Sequence, residues 1–125
     1  MKSGNYGEII MDYELPEEFI NQFEILKKNY RDKLPQTIDD LAISMNNFNL
    51  DPDIETLKKL YVQIHNLSGS SGMYGFSEIT VKSRDFELLI KPFVENKIMP
   101  TQENIIQIEE KFKEYKEFLN SSIIN

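Results

Sequence analysis

Five segments of this chain repeat an apolar residue at intervals of three and four, and none alternates with period two for long enough to form a strand. The first segment runs Phe19, Phe23, Leu26, Tyr30, and the second Leu34, Ile38, Leu41, Met45, Phe48. Leu57, Leu60, Ile64 and Leu67 make the third, and Ile79, Phe86, Ile90 and Phe93 the fourth. Ile105, Ile108, Phe112, Tyr115 and Leu119 make the last and cleanest. Each stripe is apolar on one side only. Helices of this kind, joined by short turns, bury their stripes against one another, so the pattern predicts an all-α antiparallel bundle.

Punctuation between the stripes sets the boundaries. Leu15-Pro16-Glu17-Glu18 reads as a helix start, with proline in the first turn and acids at the positive end of the dipole. Pro35 interrupts the pattern, which predicts two helices, or one sharply bent, over 16–48. Asn49-Leu50-Asp51-Pro52 predicts a turn in which Asp51 caps the next helix and Pro52 opens it. Ser77 and Thr101 are the expected caps of the last two helices, and Pro92 is expected to bend or end the first of these. Residues 1–14 read as a flexible arm, 15–120 as the bundle and 121–125 as a tail. At 125 residues this is one domain, long enough to bury a core without crosslinks.

Composition excludes several functions. The net charge is −7, which repels nucleic acid and anionic membrane surfaces. No cysteine is present, so disulfides, thiolate metal sites and cysteine nucleophiles are absent. No apolar run approaches the roughly 20 residues that span a bilayer. Nothing at the N-terminus reads as a secretory signal, so the expected location is cytoplasmic and no membrane partner is expected.

The one histidine, His65, opens the run His65-Asn66-Leu67-Ser68-Gly69-Ser70-Ser71-Gly72-Met73-Tyr74-Gly75-Phe76, with glycines four, seven and ten residues on. Helix geometry turns His65 roughly 130° from the apolar seam of its own helix. Its surface neighbours are Lys58, Tyr61, Val62, Ser68, Gly69 and Gly72. Taken alone, that describes either an exposed histidine beside a fraying helix end or an imidazole kept clear for a large partner. The glycines do not form a phosphate loop, a nucleophile elbow or a G-x-x-G nucleic-acid clamp. A flexible linker is a further reading of the Gly/Ser tract, opposed by the apolar helical patterns on both sides of it.

This run resembles the signature of histidine-phosphotransfer (HPt) domains, a family that includes the phosphotransfer domain of chemotaxis histidine kinases. Its pattern is a histidine, an apolar residue two on, usually lysine three on, glycine four on, small residues next and glycine ten on. A Leu-Glu-like pair follows 21 and 22 residues after the histidine, where this chain has Phe86-Glu87. The resemblance implies an antiparallel four-helix bundle with an additional N-terminal helix. It implies a monomeric phosphoryl carrier without turnover of its own, working in a two-component phosphorelay. His65 would accept phosphate from a histidine kinase or a phospho-receiver and pass it to the aspartate of a response-regulator receiver. The chain would need no cofactor, since Mg2+ would come with the receiver. In the alternative, the bundle is never phosphorylated and scaffolds or inhibits a kinase or receiver.

One position departs from the family pattern: the usual lysine is Ser68. An antiparallel register that sets His65 opposite Glu87 sets Ser68 opposite Arg84, which is then the candidate cation for phosphoryl oxygens. Glu87 is the candidate for orienting His65; it also has Arg84 and Lys91 at helical spacing, the pattern of a surface ion pair. Lys58, Tyr61, Val62, Ser68, Gly69, Gly72 and Met73 are the expected partner contacts, with Tyr74 beside them. Residues 58–91 carry five basic and three acidic side chains, so the surroundings of His65 are the least acidic part of an acidic chain. That suits docking to an acidic receiver pocket, and equally an ordinary solvated helix face.

Overall fold

Four helices make up nearly all of residues 16–124, the part of the chain that the computed structural model describes. They are α1 (Glu17–Leu50), α2 (Ile54–Met73), α3 (Ser77–Asn96) and α4 (Gln102–Ile124). No strand occurs among the described residues. The expected arm, 1–14, lies outside them. No described helix is long and apolar enough to cross a membrane.

Of the two readings around Pro35, two helices or one bent, the structure has a single helix, so no separate N-terminal helix precedes the bundle among the described residues. Proline removes one backbone hydrogen bond at a cost of about 3 kcal/mol in a helix interior. Leu34, Ile38, Leu41, Met45 and Phe48 are buried on one continuous stripe across it. Each contributes about 1.5–3 kcal/mol, which outweighs the break.

Three other boundaries correct the sequence pattern. Asp53, not Asp51, caps α2: its carboxylate accepts the Thr56 N–H at 2.8 Å while Thr56 Oγ1 accepts the Asp53 N–H at 3.3 Å. Two reciprocal bonds outcompete the single cap that Asp51 offered. Ser77 lies inside α3, and Phe76 occupies the cap position without a side-chain bond. There the preceding helix end governs. Gly75, at φ +85°, closes α2 with the Phe76 N–H on Ser71 O (2.8 Å) and the Gly75 N–H on Gly72 O (3.3 Å). The expected tail is helical through Ile124, because the Ser121 and Ser122 hydroxyls donate back to Phe118 O and Ile123 packs on the core. Thr101 caps α4 as expected, in a reciprocal pair with Asn104. Pro92 does not end α3, which runs on to Asn96.

Short connections and side-by-side packing make successive helices antiparallel. α1 packs on α2 and α4, and α3 packs on α2 and α4, which closes a four-helix bundle with α1 and α3 on the diagonal. Phe48, Leu57, Leu60, Ile64, Ile90, Ile108 and Leu119 fill its centre. Hydroxyl bonds tie the outer helices to the α2–α3 pair. Tyr30 of α1 bonds Ser70 and Ser71 at 2.7 Å, and Tyr115 of α4 bonds Ser83 at 2.6 Å. Burial pushes the Tyr115 phenol well above its usual range, against the opposing effect of the Ser83 bond.

Candidate functional site

His65 lies midway along α2, on the side turned away from Leu60, Ile64 and Leu67, which are buried. Its side chain is 64% exposed. Across the helix pair, Glu87 of α3 is buried, with 11% of its side chain exposed, and its Oε2 lies 2.9 Å from His65 Nδ1. A carboxylate only accepts hydrogen bonds, so Nδ1 carries the proton and donates. In the neutral ring this leaves the lone pair on Nε2. The expected His65–Glu87 register is the one observed.

Thr80, two turns from Glu87, adds a second link between α2 and α3. Its hydroxyl donates to Ser68 O at 2.8 Å. A Cβ placed on Gly72 would stand 3.2 Å from Thr80 Oγ1, so Gly72 is where the two helices approach closely. Gly69 differs: a Cβ there would meet nothing within 4 Å. The three glycines of the run therefore do three different things. Gly75 turns the chain, Gly72 admits α3, and Gly69 leaves open space one helical turn from His65.

Ser68 corrects the expected set of partner contacts. It is buried, at 4% exposure, because it stands one turn beyond Ile64 and shares the inward face. Lys58, Val62, Gly69, Gly72 and Met73 are exposed, and Tyr61 is half-buried. Tyr61 stacks on the His65 ring, with centroids 6.1 Å apart and planes 18° from parallel. Partial burial pushes the Tyr61 hydroxyl above the usual phenol range; Glu87 and Glu95 add to this, and Lys91 opposes it. Tyr74 is occupied within the fold, stacked on Tyr30 at 4.9 Å.

On α3, Thr80, Arg84, Glu87 and Lys91 recur at four, three and four residues, which is one stripe of the helix. Thr80 and Glu87 both touch α2, and Arg84 lies between them on the same stripe, whereas the residue that meets Ser68 across the pair is Thr80 and not the expected Arg84. Arg84 is exposed and makes no ion pair among the described residues. Lys91 lies a turn beyond Glu87 and pairs with Glu95 at 3.8 Å. Two cations thus flank Glu87, one turn to either side.

Sequence reasoning gave no role to Thr80, gave Lys91 only as an ion-pair neighbour of Glu87 where the structure pairs it with Glu95, and missed the ring stacking of Tyr61. A detectable signal existed for the first two, since both fall on the helical stripe through Glu87. The Tyr61 stack had a weaker one, its position one turn before His65. A groove between α3 and α4, lined by Lys82, Phe86, Leu89, Lys111, Tyr115 and Phe118, does not include His65. No protein-family model, curated protein or solved structure matches the chain.

Proposed function

We propose that the chain is a phosphoryl carrier of the HPt type, in which His65 takes a phosphoryl group from a kinase or phospho-receiver and yields it to a receiver aspartate. The observation that carries this reading is an exposed imidazole whose Nδ1 is held by a buried carboxylate 2.9 Å away, beside the open space at Gly69. Imidazole is nucleophilic near neutral pH in its neutral form. Nε2 attacks phosphorus, the N–P bond forms, and the aspartyl P–O bond breaks with its electron pair leaving on the carboxylate. The Nδ1 proton stays in place. The ring becomes cationic as it is phosphorylated, and the Glu87 carboxylate faces that developing charge.

Phosphoryl transfer through a loose transition state asks for alignment and charge neutralisation. The stacked Tyr61 ring and the Glu87 bond both restrict how the imidazole turns. Arg84, exposed on the α3 stripe through Glu87 and one turn from it, supplies the cation that the resembling family carries at the Ser68 position. The docked receiver brings its own carboxylates and Mg2+. A scaffold that is never phosphorylated draws support from Ser68 itself, which is buried and uncharged.

A phosphorylated receiver mixed with the chain separates the two readings. Transfer is expected to leave acid-labile, alkali-stable label on the wild-type chain and none on His65→Gln. Label persisting on His65→Gln, or no label on the wild type from any donor of the same organism, would overturn the carrier reading. Arg84→Ala is expected to slow transfer; an unchanged rate would remove Arg84 from the site.

A further inference from the structure

The buried stripe of α1 begins only at Leu34, although the helix begins at Glu17. Residues 17–33 form an overhang about 25 Å long at 1.5 Å per residue, whose inner half touches the α2–α3 turn: Tyr30 stacks on Tyr74 and Phe76, and Lys27 and Arg31 lie over the Phe76 ring. Its apolar residues do not stop. Phe19, Phe23, Leu26 and Tyr30 lie on the same side of the helix as Leu34, Ile38, Leu41 and Phe48, at the same three-four spacing. The second half of the stripe is covered by the bundle; among the described residues the first half meets it only at Phe23 and Tyr30. Phe19 is 59% exposed, Ile20 46%, Phe23 43% and Leu26 51%. Tyr30 is half-buried against Tyr74 and Phe76, and the Phe23 ring stacks on Tyr74 at 6.5 Å with its other side exposed. An uncovered stripe of large apolar side chains marks a contact surface.

We infer that a second copy of this chain covers it, through antiparallel pairing of the two α1 overhangs. Charge selects that occupant. Glu17, Glu18 and Glu24 lie in the first half of the overhang, and Lys27, Lys28, Arg31 and Lys33 in the second. The one acid of the second half, Asp32, is already paired with Lys28 at 2.9 Å. Antiparallel pairing lays the acidic half of each helix along the basic half of the other, whereas parallel pairing sets like charges together. A two-fold axis makes the surface complementary to itself. Placing Phe23 against Leu26 of the second copy sets Phe19 beside Tyr30. It also brings Glu18 beside Lys33 and Glu24 beside Lys27, each pair on one flank of the contact.

The family resemblance implies a monomer. An overhang of this size covers less than the roughly 800 Å² per partner of a standard interface. The dimer is therefore weak and concentration-dependent, and its bundles sit at opposite ends with both His65 sites outside the contact.

Sedimentation equilibrium of the full chain, over a wide range of concentrations, tests this. The apparent mass is expected to rise from 14.7 kDa towards twice that value, and to rise less in high salt. Phe19→Glu and Phe23→Glu are each expected to keep the chain at the single-chain mass with an unchanged circular dichroism spectrum. Phe19 is the more exposed of the two, so its variant keeps the test open should the second perturb the Tyr74 stack. Glu18→Lys with Glu24→Lys is expected to weaken the dimer roughly tenfold, and adding Lys27→Glu with Lys33→Glu to restore it. A chain that stays single at millimolar concentration overturns the inference, and its stripe is then covered by residues 1–15 or by another protein. So does a dimer that the Phe19 and Phe23 variants leave intact, or one that the half-reversal of charge leaves unchanged.

Discussion

Gly69→Ala is expected to make the protein more stable and, on the carrier proposal, slower in phosphoryl transfer. Gly69 is helical, exposed, and has nothing within 4 Å of where a Cβ would stand. Nothing inside the molecule requires glycine there. Alanine in a helix interior is favoured over glycine by about 0.8–1 kcal/mol. With no clash to offset it, nearly all of that gain should appear as stability. For a domain of this size it raises Tm by roughly 3–5 °C. Urea unfolding and a thermal scan read both. The carrier proposal demands the opposite effect on transfer, since the added methyl stands one turn from His65 on the face a receiver must approach. Misplacing reacting atoms by about 1 Å can cost up to a hundredfold in rate, so a fall of at least about tenfold from a phospho-receiver is expected. Phosphorylation of His65 by phosphoramidate, a donor too small to feel the methyl, should be unchanged. A destabilised variant would refute the account of the open space. A stabilised variant whose receiver rate is unaltered, with Gly69→Leu equally unaltered, would refute the docking face.

Three further outcomes follow from other contacts. Glu87→Gln should keep an acceptor for His65 Nδ1–H and Glu87→Ala should not, so nitrogen NMR should find the Nδ1–H tautomer retained in the first and mixed in the second, with transfer slower by about tenfold in the alanine variant. Gly72→Ala should gain about 1 kcal/mol less stability than Gly69→Ala in urea unfolding, because its Cβ presses on Thr80 Oγ1 and on the hydrogen bond from Thr80 to Ser68 O. Tyr115 has a phenol pKa raised by burial, so the folded state holds its proton after the unfolded state has lost it. The stability is therefore full below the unfolded phenol pKa of about 10 and falls by up to about 1.4 kcal/mol per pH unit above it. Tyr115→Phe should flatten that alkaline slope while costing about 1 kcal/mol at neutral pH through loss of the Ser83 bond.

Helix class and core were legible because both depend on periodicity, which local sequence carries. Phe48, Ile64, Ile90 and Leu119 were assigned to seams and are buried. The His65–Glu87 contact was legible for a different reason: the run resembles a family pattern that carries a glutamate 22 residues after its histidine, and Glu87 stands at that spacing. Helix boundaries were less so. Pro35 costs a backbone bond, but the flanking Leu34 and Ile38 are buried, and tertiary burial outweighs local propensity. Asp53 took the cap from Asp51 because Thr56 answers it, a cooperation invisible to a residue-by-residue reading. Ser68 was misplaced by treating it as a neighbour of His65, three residues back, when it also stands four residues after the buried Ile64. The first apolar stripe misled in the other direction. Its spacing matches that of a buried seam, and spacing alone does not say whether another element is present to cover it.

The reach of Glu87 explains why the α2–α3 pair is built from small residues. A buried carboxylate bonds an exposed ring at 2.9 Å only if the two backbones lie close together. On α2 the buried face near this point carries Ser68 and Ser71, and Gly72 meets Thr80; on α3 it carries Ser83. Larger side chains here would push the helices apart and break a hydrogen bond that weakens steeply with distance. Small hydroxyl residues raise a second difficulty, because a buried hydroxyl without a partner costs free energy. The outer helices resolve it. Tyr30 reaches in from α1 to Ser71, and Tyr115 from α4 to Ser83. Each tyrosine fills with ring volume the space that a small residue leaves, and satisfies the hydroxyl at its tip. The two outer helices thereby hold α2 and α3 at the separation that the His65–Glu87 bond needs.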